Sequence, residues 1–499
     1  MNDKPEPSPE DNRRLLDTLL PRKDELKARE RIAIPAQPMP AQPARERVRN
    51  MSEVALGYAH DQARLEALRC LQCKNAPCVK GCPVAIDIPA FVKAIADGDT
   101  ADAIAIIKRN SLLPAICGRV CPQETQCQLD CTVGKSLKDV ELSVSIGRLE
   151  RFAADWERES GRMLPPEVKP ETGRKVAVIG SGPASLTVAA DVRREGHAVT
   201  LFEAFHKPGG VMMYGIPEFR LPKAIVQLEI DTLKAMGVRI VTDYVVGRTR
   251  KLKDLLERDG FDAVFVGTGA GLPKFMNIEG ENLVGVFSAN EYLTRSNLMR
   301  AYDEGAADTP IRRGRHVAVL GGGNVAMDAA RTAVRLGADE VHLIYRRTEK
   351  EMPARIEEVA HAKEEGIRFH LLRNVKRILG DETGRVVSVE CLKYELGPPD
   401  DSGRRRPVEI PNSEYVLPMD TVVVAIGNDS NPLIPQTTPE METNRWGNIV
   451  VNENNRTSMP GVYAGGDIVL GAATVILAMG QGRQAAAAIN EQLREETKS

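Results

Sequence analysis

The stretch from Arg69 to Pro83, RCLQCKNAPCVKGCP, sets four cysteines two, four and three residues apart and closes them with a proline. Cys117, Cys121, Cys127 and Cys131 follow, so eight of the nine cysteines lie between Cys70 and Cys131. Thiols crowded in this way either pair as disulfides or bind metal. The opening segment MNDKPEPSPEDNRR lacks the apolar core of a signal peptide, and nowhere do about 18 apolar residues run unbroken. A cytoplasmic protein with reduced, metal-ligating thiols is therefore expected, with no membrane partner. Cys391 stands alone and is expected to be a small buried hydrophobe.

Two glycine runs supply a second kind of chemistry. Gly180-Ser-Gly182-Pro183-Ala184-Ser185 follows the strand-like KVAVI and opens a helix. Gly180 permits the tight turn, and Gly182 lets the backbone approach a pyrophosphate at a helix N-terminus, where unpaired N–H groups carry partial positive charge. Ser185 stands where Gly or Ala is usual. Glu203 ends the next strand, placed as an acid that accepts ribose hydroxyls. Gly321-Gly-Gly323-Asn324-Val-Ala326 repeats the device after HVAVL, but its second strand ends in Tyr345-Arg346-Arg347. Two guanidiniums suit a 2′-phosphate, so this cradle is expected to prefer NADP(H).

Around these residues the sequence divides by periodicity. Residues 1 to about 50, rich in Pro, Lys, Arg and Glu, read as an extended or partly helical arm. Helical spacing in PAFVKAIADGD and ADAIAIIKRN predicts a small helical domain wrapped around its metal. The polar segment SGRMLPPEVKPETG marks a boundary, after which strand-like runs alternate with amphipathic helices, as in doubly wound α/β domains. The expected spans are 1–165 for the arm and metal domain, 172–290 with 430–499 for a first dinucleotide domain, and 291–429 for a second inserted within it. The 67 basic and 69 acidic residues balance at −2, which gives no reason to expect nucleic acid as a partner. The run Arg404-Arg405-Arg406 reads as a solvated loop.

Two cradles followed by Gly465-Gly466-Asp467 and a helix opened by Thr474-Val475 resemble the two-dinucleotide flavoprotein superfamily. There the aspartate binds the flavin ribityl chain and the helix N-terminus faces the flavin pyrimidine. The resemblance implies FAD at Gly180, Gly182, Pro183, Ala184, Glu203, Gly210, Arg220, Gly269, Gly466, Asp467, Thr474 and Val475. It implies NADP(H) at Gly321, Gly323, Asn324, Ala326, Arg346 and Arg347. Between Arg174 and Ser499 the sole cysteine is Cys391, which excludes a redox-active CxxC beside the flavin. A nicotinamide delivers electrons in pairs and an iron–sulfur cluster takes them singly, and a flavin mediates between the two. Clusters are favoured over zinc because the first cysteine run nearly repeats the ferredoxin spacing, in which the CP cysteine serves the other cluster.

Together RCLQCKNAPCVKGCP, LPAICGRVCPQE, SIGRLERF, GSGPAS, GGVMMYGIPEFRLPK, YRRTEKEMPAR and AGGD resemble the NADPH-oxidising small-subunit family of glutamate synthase from about Arg45 onward. The likeness is greatest to the branch of homotetrameric NADPH glutamate synthase. That branch also holds the large subunit of the electron-bifurcating NADH-dependent reduced ferredoxin:NADP oxidoreductase and a sulfide dehydrogenase subunit. Dihydropyrimidine dehydrogenase carries a related N-terminal half. The resemblance implies an α plus α/β protein, with a helical di-[4Fe-4S] domain followed by two Rossmann-like domains, FAD, two [4Fe-4S] clusters and NADP(H). With the CP cysteine acting as in ferredoxins, Cys70, Cys73 and Cys78 hold one cluster, and Cys82 joins Cys121, Cys127 and Cys131 in the other. In the family the missing ligand of the first cluster is an oxygen at the place of Glu150, not the cysteine at the place of Cys117. The expected activity is oxidation of NADPH within a glutamate synthase-type enzyme, or else the bifurcating transhydrogenase role. The expected partner is a second flavin-bearing subunit, a ferredoxin, or further copies of the chain. The chain carries no amidotransferase nucleophile after Met1, since Asn2 follows it, so it is expected not to make glutamate alone.

Overall fold

The computed structural model describes residues 8–303, 305, 307–399 and 403–495; the outermost residues of the expected first and last spans lie outside the described residues. The N-terminal part is helical, as the apolar spacing requires. Asp87 accepts a hydrogen bond from Ala90 N to start the helix Ile88–Asp97, and Gly98, at φ +88°, ends it in the left-handed conformation that glycine adopts without strain. Asp99 immediately caps the next helix, Thr100–Asn110. The helix Ile146–Glu159 packs against Pro114–Val120 so closely that a Cβ on Gly118 would lie 2.5 Å from Arg151 N.

Five parallel strands form the first sheet: β1 (Lys175–Ile179), β2 (Ala198–Phe202), β3 (Arg239–Val241), β4 (Ala263–Val266) and β16 (Val462–Ala464), in the order β16-β4-β1-β2-β3. Its last strand thus comes from the far side of an insertion. Both crossings into the insertion run through one antiparallel pair, β5 (Leu272–Pro273) with β15 (Asn428–Asp429). The inserted unit holds a second parallel sheet of β6 (Val286–Ser288), β7 (His316–Leu320), β8 (Glu340–Tyr345), β9 (Arg368–Leu371) and β14 (Thr421–Val424), in the order β6-β14-β7-β8-β9. An antiparallel sheet of β10 (Arg373–Gly380), β11 (Val386–Pro399), β12 (Arg405–Glu409) and β13 (Tyr415–Pro418) flanks it. The second sheet therefore starts at Val286, before the boundary expected at 291, because β6 pairs with β14. Arg405 and Arg406 are exposed as expected but lie on the strand β12, not in a loop.

One apolar core runs from the helical domain, through Phe91, Ile107, Ile116 and Leu149, into the first dinucleotide unit at Val176, Leu186 and Ile489. These two parts share that core, and truncating Ile116 to alanine at such a site costs about 2–5 kcal/mol. The inserted unit has its own core around Val317, Val319, Met327 and Leu343. Cys391, fully buried, belongs to the core between the insertion's two sheets.

Candidate functional site

A buried ion pair sets the start of the cysteine domain. Arg69 Nη1 donates to Glu66 Oε1 at 2.6 Å and to Ser143 O at 2.9 Å, Nη2 donates to Leu142 O at 2.6 Å, and Nε reaches Ile34 O at 3.2 Å. Glu66 in return accepts from Gln37 N and Ser145 N, each at 2.8 Å. Both side chains are buried, so their charges are tolerated only because these partners saturate them. The pair ties the arm, the residue before Cys70 and the approach to the Glu150 helix into one frame; spacing alone gave no sign of it.

The structure regroups the metal-ligating residues. Cys70, Cys73, Cys78 and Cys131 together line one apolar cleft, walled by Ile88, Val92, Val133 and Ile146 among others. Cys131 thus joins the first group, not the second as the ferredoxin analogy led us to expect. The reason is the turn between Cys127 and Cys131, where Cys131 N bonds to Gln128 O at 3.0 Å and the chain reverses. Cys131 then leads the helix Thr132–Leu137, whose Thr132 Oγ1 lies 3.4 Å from Cys73 Sγ.

Glu150 is displaced in the opposite sense. The packing of its helix on Pro114–Val120 brings it beside Cys82, Cys117, Cys121 and Cys127; burial raises the proton affinity of the Cys82 and Cys127 thiols, a hydrogen bond with Cys121 and then burial raise that of Cys117, and the Glu150 charge adds to all three. Its Oε1 is buried with no hydrogen-bond partner, and burial pushes the carboxyl up to about 8. An orphaned carboxylate oxygen among buried thiols is a donor set that lacks its acceptor. Among the described residues no three His, Cys, Asp or Glu side chains converge closely enough for a single ion. Four thiols share the first cleft and the second group surrounds the orphaned oxygen, so the residues fit two clusters, which Cys70/Cys73/Cys78/Cys131 and Cys82/Cys121/Cys127/Glu150 would hold.

The first cradle is built as its glycines require. Gly180 has φ +89°, and a Cβ there would lie 2.5 Å from Gly267 O. A Cβ on Gly182 would meet nothing within 4 Å, so the backbone faces open space at the N-terminus of the helix Pro183–Arg194. The loop at Gly210 crosses this opening, and a Cβ there would come within 2.7 Å of Gly182 Cα. Ser185 is accommodated because Gly267 opposes it and its Oγ bonds Gly267 O at 3.4 Å. Glu203 accepts from Ser181 Oγ and, at 2.8 Å, from Phe205 N. Gly269, at φ +71°, accepts from Asn431 N and holds the insertion's exit against the cradle. Gly466 N donates to Gln481 Oε1 at 2.7 Å, burial pushes Asp467 up to about 7, and Thr474 Oγ1 accepts from Leu477 N to cap the helix that Val475 begins.

Arg220 does not join this set. Its Nη1 binds both Asp328 oxygens at 2.7 and 2.8 Å and its Nε faces Glu358 at 3.0 Å, both carboxylates belonging to the inserted unit. It is a tie between units, expected wrongly as a flavin contact because GIPEFRLPK lies between the cradles in sequence. Next to it, Arg335 and Arg331 stack on the Phe219 ring at 3.9 and 4.8 Å while binding Glu365, which Arg47 of the arm also holds at 2.8 Å.

In the second cradle Gly321 has φ +144°, and a Cβ there would lie 2.3 Å from Ala425 O. Asn324 begins the helix Asn324–Arg335, its Oδ1 accepting from Arg355 N at 2.9 Å, and Ala326 is fully buried beneath. Gly323 opens toward Pro353, 3.8 Å from where its Cβ would stand. The two arginines expected at the 2′-phosphate part company: Arg346 is exposed, whereas Arg347 is buried and donates from Nε to Arg405 O at 2.8 Å. Successive residues at the end of an extended strand face opposite ways, so the two guanidiniums lie on opposite sides, Arg346 outward and Arg347 inward.

Known proteins match the chain in two stretches. Residues 47–162 match the family described as dihydropyrimidine dehydrogenase domain II, 4Fe-4S cluster, and residues 174–491 match pyridine nucleotide-disulphide oxidoreductase. The NADP(+)-dependent formate dehydrogenase subunit beta of Moorella thermoacetica is 41% identical over 449 residues, 85% of this chain but 61% of that protein. The glutamate synthase [NADPH] small chain of Azospirillum brasilense is 36% identical over 465 residues, 91% of this chain and 94% of its own length. The NADPH-Fe(3+) oxidoreductase subunit beta of Geobacter sulfurreducens is 37% identical, and the chain spans 64% of it. Mycobacterium tuberculosis FprA in complex with NADPH shares the fold at a TM-score of 0.55 and 21% identity, over 66% of this chain and 86% of that one. On the residues and the relatives together, the chain belongs to the glutamate synthase small-chain family, oxidoreductases that work with NADPH, FAD and [4Fe-4S] clusters.

Proposed function

We propose that the chain is the NADPH-oxidising module of a glutamate synthase-type enzyme and delivers electrons to a separate flavin-bearing subunit. The observation that carries this reading is the seam between the second cysteine group and the helix Val475–Glu495. There Cys117 Sγ meets Met479 Sδ at 3.6 Å, Gln126 Nε2 donates to Thr474 Oγ1 at 3.2 Å, and a Cβ on Gly480 would lie 3.1 Å from Pro83 O. The thiols therefore adjoin the end of the first unit where the flavin ring belongs. A flavin bound there takes an electron pair from a nicotinamide and releases single electrons to iron–sulfur clusters. The backbone at Gly182 and the helix it opens receive the pyrophosphate, and Glu203 accepts from the ribose. Cys82, Cys121, Cys127 and Glu150 hold the inner cluster. Cys70, Cys73 and Cys78, partly exposed, hold the outer one with buried Cys131 and form the outlet.

Three relatives carry names that couple NADP(H) to formate, to Fe(3+) and to glutamate. We assign the glutamate synthase type because the small chain is matched along 94% of its length. Thiols kept for ligation favour a reducing cytoplasm. Among the described residues no helix is long and apolar enough to cross a membrane.

The iron-reconstituted chain should bleach its flavin band with NADPH much faster than with NADH; equal rates overturn the NADPH assignment. Alone it should form no glutamate from glutamine and 2-oxoglutarate, and glutamate should appear when an FMN-bearing partner is added. Transfer to ferredoxin instead, with no glutamate, would assign the transhydrogenase role.

A further inference from the structure

The segment that follows β8 links the second cradle to the cysteine loop. Over the cradle, Ala354 N donates to Gly322 O at 3.3 Å, Arg355 N donates to Asn324 Oδ1 at 2.9 Å, and Pro353 covers Gly323. From the same residue the guanidinium reaches the other domain. Arg355 Nη1 donates to Arg119 O at 2.9 Å, Nη2 donates to Gln123 Oε1 at 3.0 Å, and Glu124 faces Nε at 3.7 Å. Ile356 N adds a bond to Glu124 Oε1 at 3.1 Å.

Gln123 is no ordinary surface partner. It is buried between Cys121 and Cys127, its backbone oxygen accepts from Gln126 N and Gln128 N, and its Nε2 reaches Cys117 O at 3.4 Å. Its amide lies over Gly147, one turn before Glu150, where a Cβ would stand 2.0 Å away. Arg355 thus bonds the nucleotide cradle through its main chain and the loop carrying two ligating sulfurs through its side chain. A residue bonded at both ends gives a shift at one a direct physical route to the other.

We infer that Arg355 is a positioning residue that couples occupancy of the NADP(H) cradle to the redox state of the second cysteine group. The inference rests on the reading that Cys82, Cys121, Cys127 and Glu150 hold a cluster. By linkage, a ligand of the cradle must shift that cluster's midpoint potential by the same factor by which cluster reduction changes the ligand's affinity.

The test uses the reconstituted full chain and 2′-phospho-ADP-ribose, which fills the cradle but has no nicotinamide to exchange electrons. Iron and sulfide content and the EPR signals are recorded first; absence of a second cluster overturns both the ligand reading and the coupling. The midpoint potential of that cluster is then titrated with and without the probe. A displacement of about fivefold in the equilibrium constant is expected, or about 40 mV at about 59 mV per decade for one electron. In Arg355→Gln, and in Gln123→Met from the other end, the displacement should vanish while iron content and the probe-free EPR signal persist. Arg346→Ala should weaken the probe equally in both redox states and leave the displacement at saturation intact. No displacement in the unaltered chain, or one that survives both Arg355→Gln and Gln123→Met, overturns the coupling and leaves the ligand reading standing.

Discussion

Cys117 Sγ lies 3.6 Å from Met479 Sδ, a thiol of the cysteine domain against a thioether of the first dinucleotide unit. Cys117 is completely buried beside Cys121, yet Glu150 supplies the orphaned oxygen in the same group. On the proposed ligand set the two residues differ in role: Cys117 packs the seam and Glu150 completes the donor set.

Glu150→Ala should accordingly abolish or reshape the EPR signal of the second cluster and lower iron content, while Cys117→Ala retains both clusters. Cys131→Ser should damage the other signal, because Cys131 lines the first cleft. Loss of the same signal in Cys131→Ser and Glu150→Ala would show that the regrouping is wrong.

Arg346 and Arg347 should separate in kinetics. Arg346→Ala removes one charge-assisted contact, about 1.5–3 kcal/mol, and should raise the NADPH KM by roughly ten- to a hundredfold with little change for NADH. Arg347→Ala breaks the bond to Arg405 O and should lower thermal stability of the inserted unit more than it alters nucleotide choice. Steady-state kinetics with both nucleotides, beside melting curves, decides this.

Glu365 should govern acid stability. Burial raises its proton affinity, but hydrogen bonds from Arg335 and Arg331 outweigh this and bring it down from 4.5 to about 2. A depressed carboxyl stabilises the fold fully above the unfolded value and loses that contribution as pH falls through the folded one. The melting temperature should therefore decline between pH 4.5 and 2, most of all for the inserted unit. Arg331→Met removes one guanidinium from buried Glu358 and Glu365 while Arg220, Arg335 and Arg47 still hold them, and should cost about 1.5–3 kcal/mol at neutral pH.

Glu229 should act with the opposite sign. It is buried beside a small pocket between the helix Lys223–Ala235 and the cysteine domain, bordered by Pro114, Ala154 and Glu157. Burial pushes it from 4.5 up to about 8, against a smaller opposing effect of Lys108. Between those values the folded chain holds the proton and the unfolded chain does not, so stability falls as pH rises. Glu229→Gln should therefore melt increasingly above the unaltered chain from pH 5 to 8. A difference constant across that range would refute the assignment.

The cradles were legible in sequence because glycine is demanded by close backbone approach: Gly180 against Gly267 O and Gly321 against Ala425 O leave no room for a Cβ. Strands and helices followed from apolar periodicity for the same local reason. The cysteines were legible as a set but not as two sets, since the reversal at Cys127–Cys131 depends on a turn that spacing does not encode. Arg220 and Arg347 were misread because a guanidinium beside a cradle can serve a phosphate or a carboxylate, and only packing between units decides which. Gln123 and Arg355 lie within the quoted runs LPAICGRVCPQE and YRRTEKEMPAR, but neither run says what its residue bonds; that appears once two domains meet.

The insertion also sets an order of assembly during synthesis. The inserted unit is complete when β14 and β15 have emerged, but the first sheet still lacks β16, whose Val462–Ala464 pair with Val264–Val266 of β4. Until then β4 presents an open parallel edge of four buried apolar residues, Ala263–Val266. Such an edge can recruit a wrong strand. The helix Val475–Glu495, which packs on the first cradle's helix, comes later still. A chain interrupted before β16 therefore carries a finished inserted unit on an unfinished first sheet.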